Sequence, residues 1–384
     1  MATRRLVLLF DGTWSQPESD TSVERLRRLI ASADAAGAPQ LVNYIAGVGA
    51  KPGLTHWLGG AFGLGLSDNI MRGYRWLCET WQPGDALYLF GFSRGGYTAR
   101  SLAGMIRKCG LLKRSAEGDV GAPGVAAAYT FYRTRATAPD DPAAVDFRAA
   151  YAFDIEIHFI GVWDTVGELG IPDVAAWFPF ARLRYRFHDT ELSKIVKYAY
   201  HALALDEHRA DMAPTVWTRN PDTLKRGETL TSKKVEQIEI EQRWFIGAHA
   251  DVGGGAAHDG AGRAPDPLPE LPLAWLQRKA DAAGLRSDYL LIPEPDAGMG
   301  TPRDSYAEFL HGFYKFFVPP FSRRFGDGVN ETIDSSVWQR WSVDGKYRSA
   351  TIVTALAEAR LALPAVPAAP ERAADDPLVF GADA

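Results

Sequence analysis

Three side chains stand where nucleophilic catalysis could be built: Ser93 in Gly91-Phe92-Ser93-Arg94-Gly95, Asp164 in Gly161-Val162-Trp163-Asp164-Thr165-Val166, and His249 in Gly247-Ala248-His249-Ala250-Asp251. A serine hydroxyl is a poor nucleophile near neutral pH and needs a base within hydrogen-bond reach. His249 could take the Ser93 proton and return it to a leaving group, while Asp164 holds the imidazole tautomer and balances the imidazolium. The oxyanion formed on attack needs two preorganised N–H donors. The backbone N–H of Arg94, directly after the serine, is the first candidate, and the Gly12-Thr13 turn is the second. Asp11, Trp14, Trp163, Phe313 and Phe317 are candidates to contact a substrate.

Each residue also has a plainer role. Ser93 could merely cap a following helix, as could Asp164. Asp206 and Asp251 are rival carboxylates, and His201, His208 and His258 are rival bases. Gly12-Thr13 could be a tight turn before the first helix. Arg94 and Arg100 could neutralise a substrate phosphate or carboxylate, with a surface ion pair as the commoner use. Tyr306, Phe309, Phe313, Tyr314, Phe316, Phe317, Phe321 and Phe325 read first as core and lid packing, and second as an acyl-binding or membrane-facing surface.

The elements that must position these residues follow from apolar runs and their punctuation. Leu6–Phe10, Leu41–Ala46, Ala86–Phe90, Ile155–Trp163 and Val235–Ile246 read as strands. Val23–Ile30 reads as a helix, and Lys51–Gly65 as a glycine-rich loop. Ser67 or Asp68 then caps a helix with Ile70, Tyr74, Leu77 and Trp81 on one face. After Ser93, the spacing of Ala99, Leu102, Ala103 and Ile106 is helical, with Gly110 as the stop. Strand, Gly-x-Ser-x-Gly, helix is the context of a nucleophile elbow. Helices are expected around Leu192–Ala204 and over Pro272–Ala283, the latter ended by Gly284. The alternation of strands and helices predicts a parallel sheet with right-handed crossovers. Ser93, Asp164 and His249 then fall at the carboxyl ends of three successive predicted strands, where open α/β sheets place their chemistry.

Composition narrows the class. The 384 residues are 46% hydrophobic and 23% charged, as in ordinary globular chains, with a formal net charge of −5. That charge, with no basic run, excludes nucleic acid as the main partner. Cys78 and Cys109 are the only cysteines, too few for a disulfide framework or a cysteine metal site. Leu6–Phe10 is too short for a signal-peptide core, and no apolar run reaches the ~18 residues of a membrane span. A cytoplasmic protein is expected, with any export by a route that reads no cleaved signal.

Asp11-Gly12-Thr13 at a strand end is similar to the haloacid-dehalogenase phosphatases. Those carry a nucleophilic aspartate two residues before the second one, and Leu9 stands there, so phosphoryl transfer is set aside.

Phe10-Asp11-Gly12-Thr13-Trp14, the Ser93 elbow, the Asp164 block and His249-Ala250-Asp251-Val252-Gly253-Gly254-Gly255 occur in this order, with His201–Glu207 between the last two. Together they resemble the signature blocks of the bacterial and fungal α/β-hydrolase family that includes the type VI secretion phospholipase effectors. The resemblance covers roughly residues 5–285. It implies a Ser93-Asp164-His249 triad and lipid ester hydrolysis.

The resulting expectation is an α/β-hydrolase domain over 1–360. It carries a helical insertion at 111–150, cap segments at 168–234 and 288–345, and a loose Ala/Pro-rich tail at 361–384. It hydrolyses carboxylic esters through an acyl-enzyme with no metal or cofactor. A lipid or phospholipid ester is the first substrate class, with peripheral membrane contact. A small soluble ester is the second, and a catalytically silent binding module is the alternative from outside the enzymes.

Overall fold

The computed structural model describes residues 3–12, 19–47, 60–116, 118–167, 192–218, 239–255, 266–309, 314–316 and 318–364. Trp14, Thr13, Phe313, Phe317 and His258, most of the expected 168–234 cap and the tail beyond 364 lie outside them.

A seven-stranded parallel sheet carries the fold. Its members are β1 (Arg5–Phe10), β2 (Gln40–Ile45), β3 (Ala86–Phe92), β6 (Ile157–Trp163), β7 (Val196–Ala204), β8 (Glu239–Phe245) and β9 (Glu331–Ile333), in the order β2-β1-β3-β6-β7-β8-β9. A two-stranded ribbon, β4 (Leu111–Leu112) with β5 (Ala152–Phe153), stands apart. The inner strands are continuous apolar runs because both faces are covered. In β1, Leu6, Leu8 and Phe10 pack on one side with Ile70, Tyr74 and Leu77 of α2 (Gly60–Thr80) and Leu102 and Met105 of α3 (Arg94–Cys109). Val7 and Leu9 point the other way, to Val23 and Leu26 of α1 (Ser22–Leu29) and to Leu273 and Leu276 in the helix Glu270–Ala282. This arrangement is the α/β-hydrolase fold class.

The stretch expected as a helical insertion at 111–150 holds α4 (Val125–Arg133) and most of α5 (Pro142–Tyr151). Three local expectations are corrected. Leu192–Ala204 is not helical: it supplies β7, buried between β6 and β8, so the strands bearing Asp164 and His249 are not neighbours. Pairing on both edges and burial of Tyr200, Ala202 and Ala204 on one face override any helical preference. The second helix starts at Gly60 rather than at Ser67 or Asp68. Ser67 is interior to it, and its Oγ accepts from the Tyr129 hydroxyl at 2.8 Å. Finally, residues 288–345 contribute β9 to the sheet edge. A third apolar cluster of Leu203, Trp244, Ile246, Phe325, Val337 and Ile352 holds that edge.

Candidate active site

Ser93 sits between the end of β3 and the start of α3, at φ 57° and ψ −123°. A left-handed φ is rare for a residue with a Cβ, and here it turns the chain sharply enough to leave the hydroxyl at the strand end. The neighbouring glycines make this turn fit. A Cβ on Gly91 would overlap the Gly95 carbonyl, and a Cβ on Gly95 would overlap the Phe10 and Asp11 carbonyls. Ser93 N–H donates to Trp163 O at 2.9 Å, which fastens the turn to the end of β6.

His249 Nε2 is 2.8 Å from Ser93 Oγ, and His249 Nδ1 is 2.6 Å from Asp164 Oδ2. The histidine opens a one-turn helix, His249–Gly253, just beyond β8. The rival carboxylates build its platform. Asp206 Oδ2 accepts from Gly247 N–H at 2.8 Å, and Asp251 Oδ2 accepts from Ala248 N–H at 2.8 Å and Arg303 N–H at 2.9 Å. Glu207 Oε2 accepts from His249 N–H at 3.3 Å and from the Ser305 hydroxyl at 2.8 Å. The Phe92 ring packs against the imidazole with centroids 4.7 Å apart.

Asp164 follows β6, and its side chain is fully buried. Oδ1 accepts from Ala204 N–H at 3.0 Å and Arg323 Nη1 at 2.5 Å, and Oδ2 accepts from Arg323 Nη2 at 2.9 Å besides the imidazole. Burial alone would raise this carboxyl; the charge of Arg323, with His249, outweighs that and holds it well below the usual carboxylate range. Burial likewise opposes the Arg209 fork at Glu207, and the fork holds that carboxyl down at about 2. Asp251 lacks such a fork, and burial pushes it up to about 6.

Two of the rival histidines, His201 and His208, are engaged elsewhere. His201, in β7, accepts Thr165 N–H at Nε2 (3.0 Å), faces Gln242 at Nδ1 (3.4 Å), and is pushed by burial down to about 3. His208 Nδ1 donates to Phe321 O at 3.0 Å.

Several expected substrate contacts are corrected. Asp11 is buried and structural: Oδ2 accepts from the Thr21 and Tyr44 hydroxyls, both at 2.7 Å, which ties β1 to the cap of α1 and to β2. Its Oδ1 accepts Gly12 N–H at 2.6 Å, so this expected oxyanion donor is turned onto its own neighbour. Trp163 is a core residue with no exposed surface, against Phe90. Arg100 is not at the surface; it is buried, donates to Thr215 O and lies 5.2 Å over the Trp217 ring. Arg94 N–H is the first amide of α3, beside Ser93, and the bonding of that helix begins with Tyr97 N–H on Ser93 O at 3.2 Å. The aromatic segment is mixed: Tyr314 and Phe325 are buried, while Phe316 is 74% exposed.

Arg323 and Glu207 were not singled out by sequence reasoning. Arg323 carries no local signal, since Ser322-Arg323-Arg324 reads as ordinary surface. Glu207 lies within the His201–Glu207 block. Among the described residues, no cluster of three or more His, Cys, Asp or Glu could hold a metal ion, and no helix is long and apolar enough to cross a membrane.

Residues 4–279 match the family model described as T6SS, phospholipase effector Tle1-like, catalytic domain. The chain is 29% identical over 244 residues to the uncharacterized protein YEL023C of Saccharomyces cerevisiae, covering 57% of this chain and 33% of that protein. The crystal structure of an uncharacterized protein from Pseudomonas aeruginosa is similar at a TM-score of 0.42 and 16% identity, over 77% of this chain and 48% of that one. A thermophilic esterase from Thermogutta terrifontis, Est2 with bound butyrate, is similar at a TM-score of 0.33 and 13% identity, over 75% and 86%. The chain thus spans about a third of the yeast relative and about half of the Pseudomonas protein. With 4–279 matched, which is most of its length, the chain belongs to the Tle1-like phospholipase effector family of type VI secretion, through the catalytic domain of that family.

Proposed function

We propose that this protein is a serine-dependent carboxylic ester hydrolase acting on lipid acyl esters, with Ser93 as nucleophile, His249 as general base and acid, and Asp164 as the triad carboxylate. The observation that carries the reading is the unbroken hydrogen-bonded row Ser93 Oγ–His249–Asp164. Family membership supports a phospholipase-like substrate.

In the first half-reaction the Ser93 Oγ–carbonyl carbon bond forms as the Oγ proton passes to His249 Nε2. Collapse of the tetrahedral adduct breaks the carbon–alkoxy bond, and His249 returns the proton to the leaving alcohol. Water then attacks the acyl-enzyme with His249 again as base, releasing the acid and restoring Ser93. The Arg94 amide at the start of α3 is one oxyanion donor, favoured by the helix dipole. With Gly12 N–H held by Asp11, Thr13 is the remaining candidate of that pair for the second donor. Peripheral contact with a lipid surface would deliver the substrate.

The test is hydrolysis of p-nitrophenyl esters from acetate to palmitate by wild type and Ser93→Ala, with and without phospholipid vesicles. Serine-dependent turnover that rises with chain length and with vesicles is expected. Activity confined to the shortest esters would replace lipid by small soluble esters, and no serine-dependent turnover on any ester would overturn the hydrolase reading.

A further inference from the structure

We infer that Arg323 is a positioning residue for the triad: its guanidinium locks both oxygens of Asp164 and sets the charge against which His249 gains its proton. The inference rests on the triad proposed above. All four terminal N–H groups of Arg323 are used, two on Asp164, one on Ala204 O at 2.9 Å and one on Met212 O at 2.6 Å. The side chains of Arg323 and Asp164 have no exposed surface. A buried, planar, two-pronged pair fixes both the rotation of the carboxylate and its distance from the imidazole. The residue lies beyond the family-matched stretch 4–279, so an element after that stretch completes the site.

The segment that brings Arg323 in is itself held. Phe321 N–H donates to His208 O at 2.8 Å, and His208 Nδ1 donates back to Phe321 O. A carbonyl cannot donate, so this bond fixes the proton on Nδ1. His208, a rival base in the sequence, thus secures the loop that carries the guanidinium.

Asp164 Oδ2 serves Arg323 and His249 at once, so an imidazolium there would share its counter-ion with a permanent cation. Other charged or titratable groups near the pair are His201 with Arg100 behind it and Glu207 with its partner Arg209; Asp251, under the start of the His249 helix, meets the Arg303 guanidinium at 3.5 Å. None of them bridges Asp164. Removing the guanidinium takes a permanent positive charge from beside the hydrogen-bonded Asp164–His249 pair, so the pair takes up a proton more readily and the acid limb of activity moves to higher pH. An opposite charge at this range is worth about one pH unit or more.

The experiment measures fluorophosphonate labelling of Ser93 against pH in the full chain, for wild type, Arg323→Gln, Arg323→Met and Arg323→Lys. The neutral variants are expected to lose labelling rate and to show an acid limb about one pH unit or more above wild type. Arg323→Lys keeps the charge but reaches one carboxylate oxygen, so its limb should fall between. If only the lysine variant folds, a limb above wild type supports the inference. Limbs coincident with wild type in the folded variants would overturn it and leave Arg323 a packing residue. A wild type that never labels at Ser93 would instead remove the triad reading beneath it.

Discussion

Ser93 Oγ and His249 Nε2 lie 2.8 Å apart although 156 residues separate them in the chain. Nothing local brings them together; the parallel sheet does, by ending β3 and β8 on the same side. Ser93→Ala removes only the hydroxyl at this meeting point. Ester turnover should fall at least a thousandfold, by analogy with triads stripped of one member (~10³ or more). The melting temperature should stay near that of wild type, because Ser93 N–H still reaches Trp163 O. A folded variant that keeps substantial activity would remove Ser93 from the mechanism.

The roles of Asp164 and Asp206 can be separated by substitution. Asp164→Asn keeps the shape but loses the charge behind His249, and should lower kcat by about 10⁴. Asp206→Asn disturbs the bonds to Gly247 N–H and the Tyr347 hydroxyl but none to Ser93 or the His249 ring, so kcat should change far less. Steady-state kinetics on a soluble ester compares them, and the reverse ranking would make Asp206 the triad acid.

What could be read in the sequence was the punctuation at strand ends. Ser93 and His249 follow apolar runs closed by glycines, and Asp164 follows an apolar run that ends in Trp163. The core strands β1, β3, β6 and β8 were legible for the same reason. Strand β7 was not, because Leu192, Ile195, Val196, Ala199 and Leu203 fall at helical spacing while Tyr198, Tyr200, Ala202 and Ala204 alternate with period two. A strand buried on both faces satisfies both patterns, so periodicity cannot choose between them. Arg323 was invisible for a different cause: its meaning comes from an ion pair across 159 residues, and no property of residues 318–325 announces a buried partner. Gly12 was misjudged because the Asp11 side chain competes for its N–H.

Gly95 marks the closest approach of α3 to β1. A methyl group there would press on the Phe10 and Asp11 carbonyls, which the sheet holds in place. Gly95→Ala should therefore cost about 1–3 kcal/mol and reduce activity by shifting the elbow. Gly345→Ala, where a Cβ meets nothing within 4 Å, is the control and should be near neutral. Chemical denaturation of the two variants beside wild type gives the comparison, and equal stabilities would remove the close-approach argument.

Glu207 is the buried carboxylate whose contribution to stability depends most plainly on pH. Its folded-state value of about 2 lies below the 4.5 of an unconstrained glutamate, because the Arg209 fork outweighs burial. A group shifted downward stabilises the fold above its unfolded value and loses that contribution as pH falls toward its folded value. The shift corresponds to about 3 kcal/mol at neutral pH. Asp251 runs the other way, since its rise to about 6 favours the folded state as pH falls below that value. The difference between variant and wild type cancels that background. Glu207→Gln should thus be less stable than wild type by about 3 kcal/mol at pH 7. The gap should narrow below pH 4.5 and close near pH 2. Because Glu207 also accepts His249 N–H, the variant should lose activity at neutral pH as the one-turn helix loosens. Urea unfolding of both proteins across this range decides it, and a gap that is the same at pH 7 and at low pH would show that Glu207 contributes shape rather than charge.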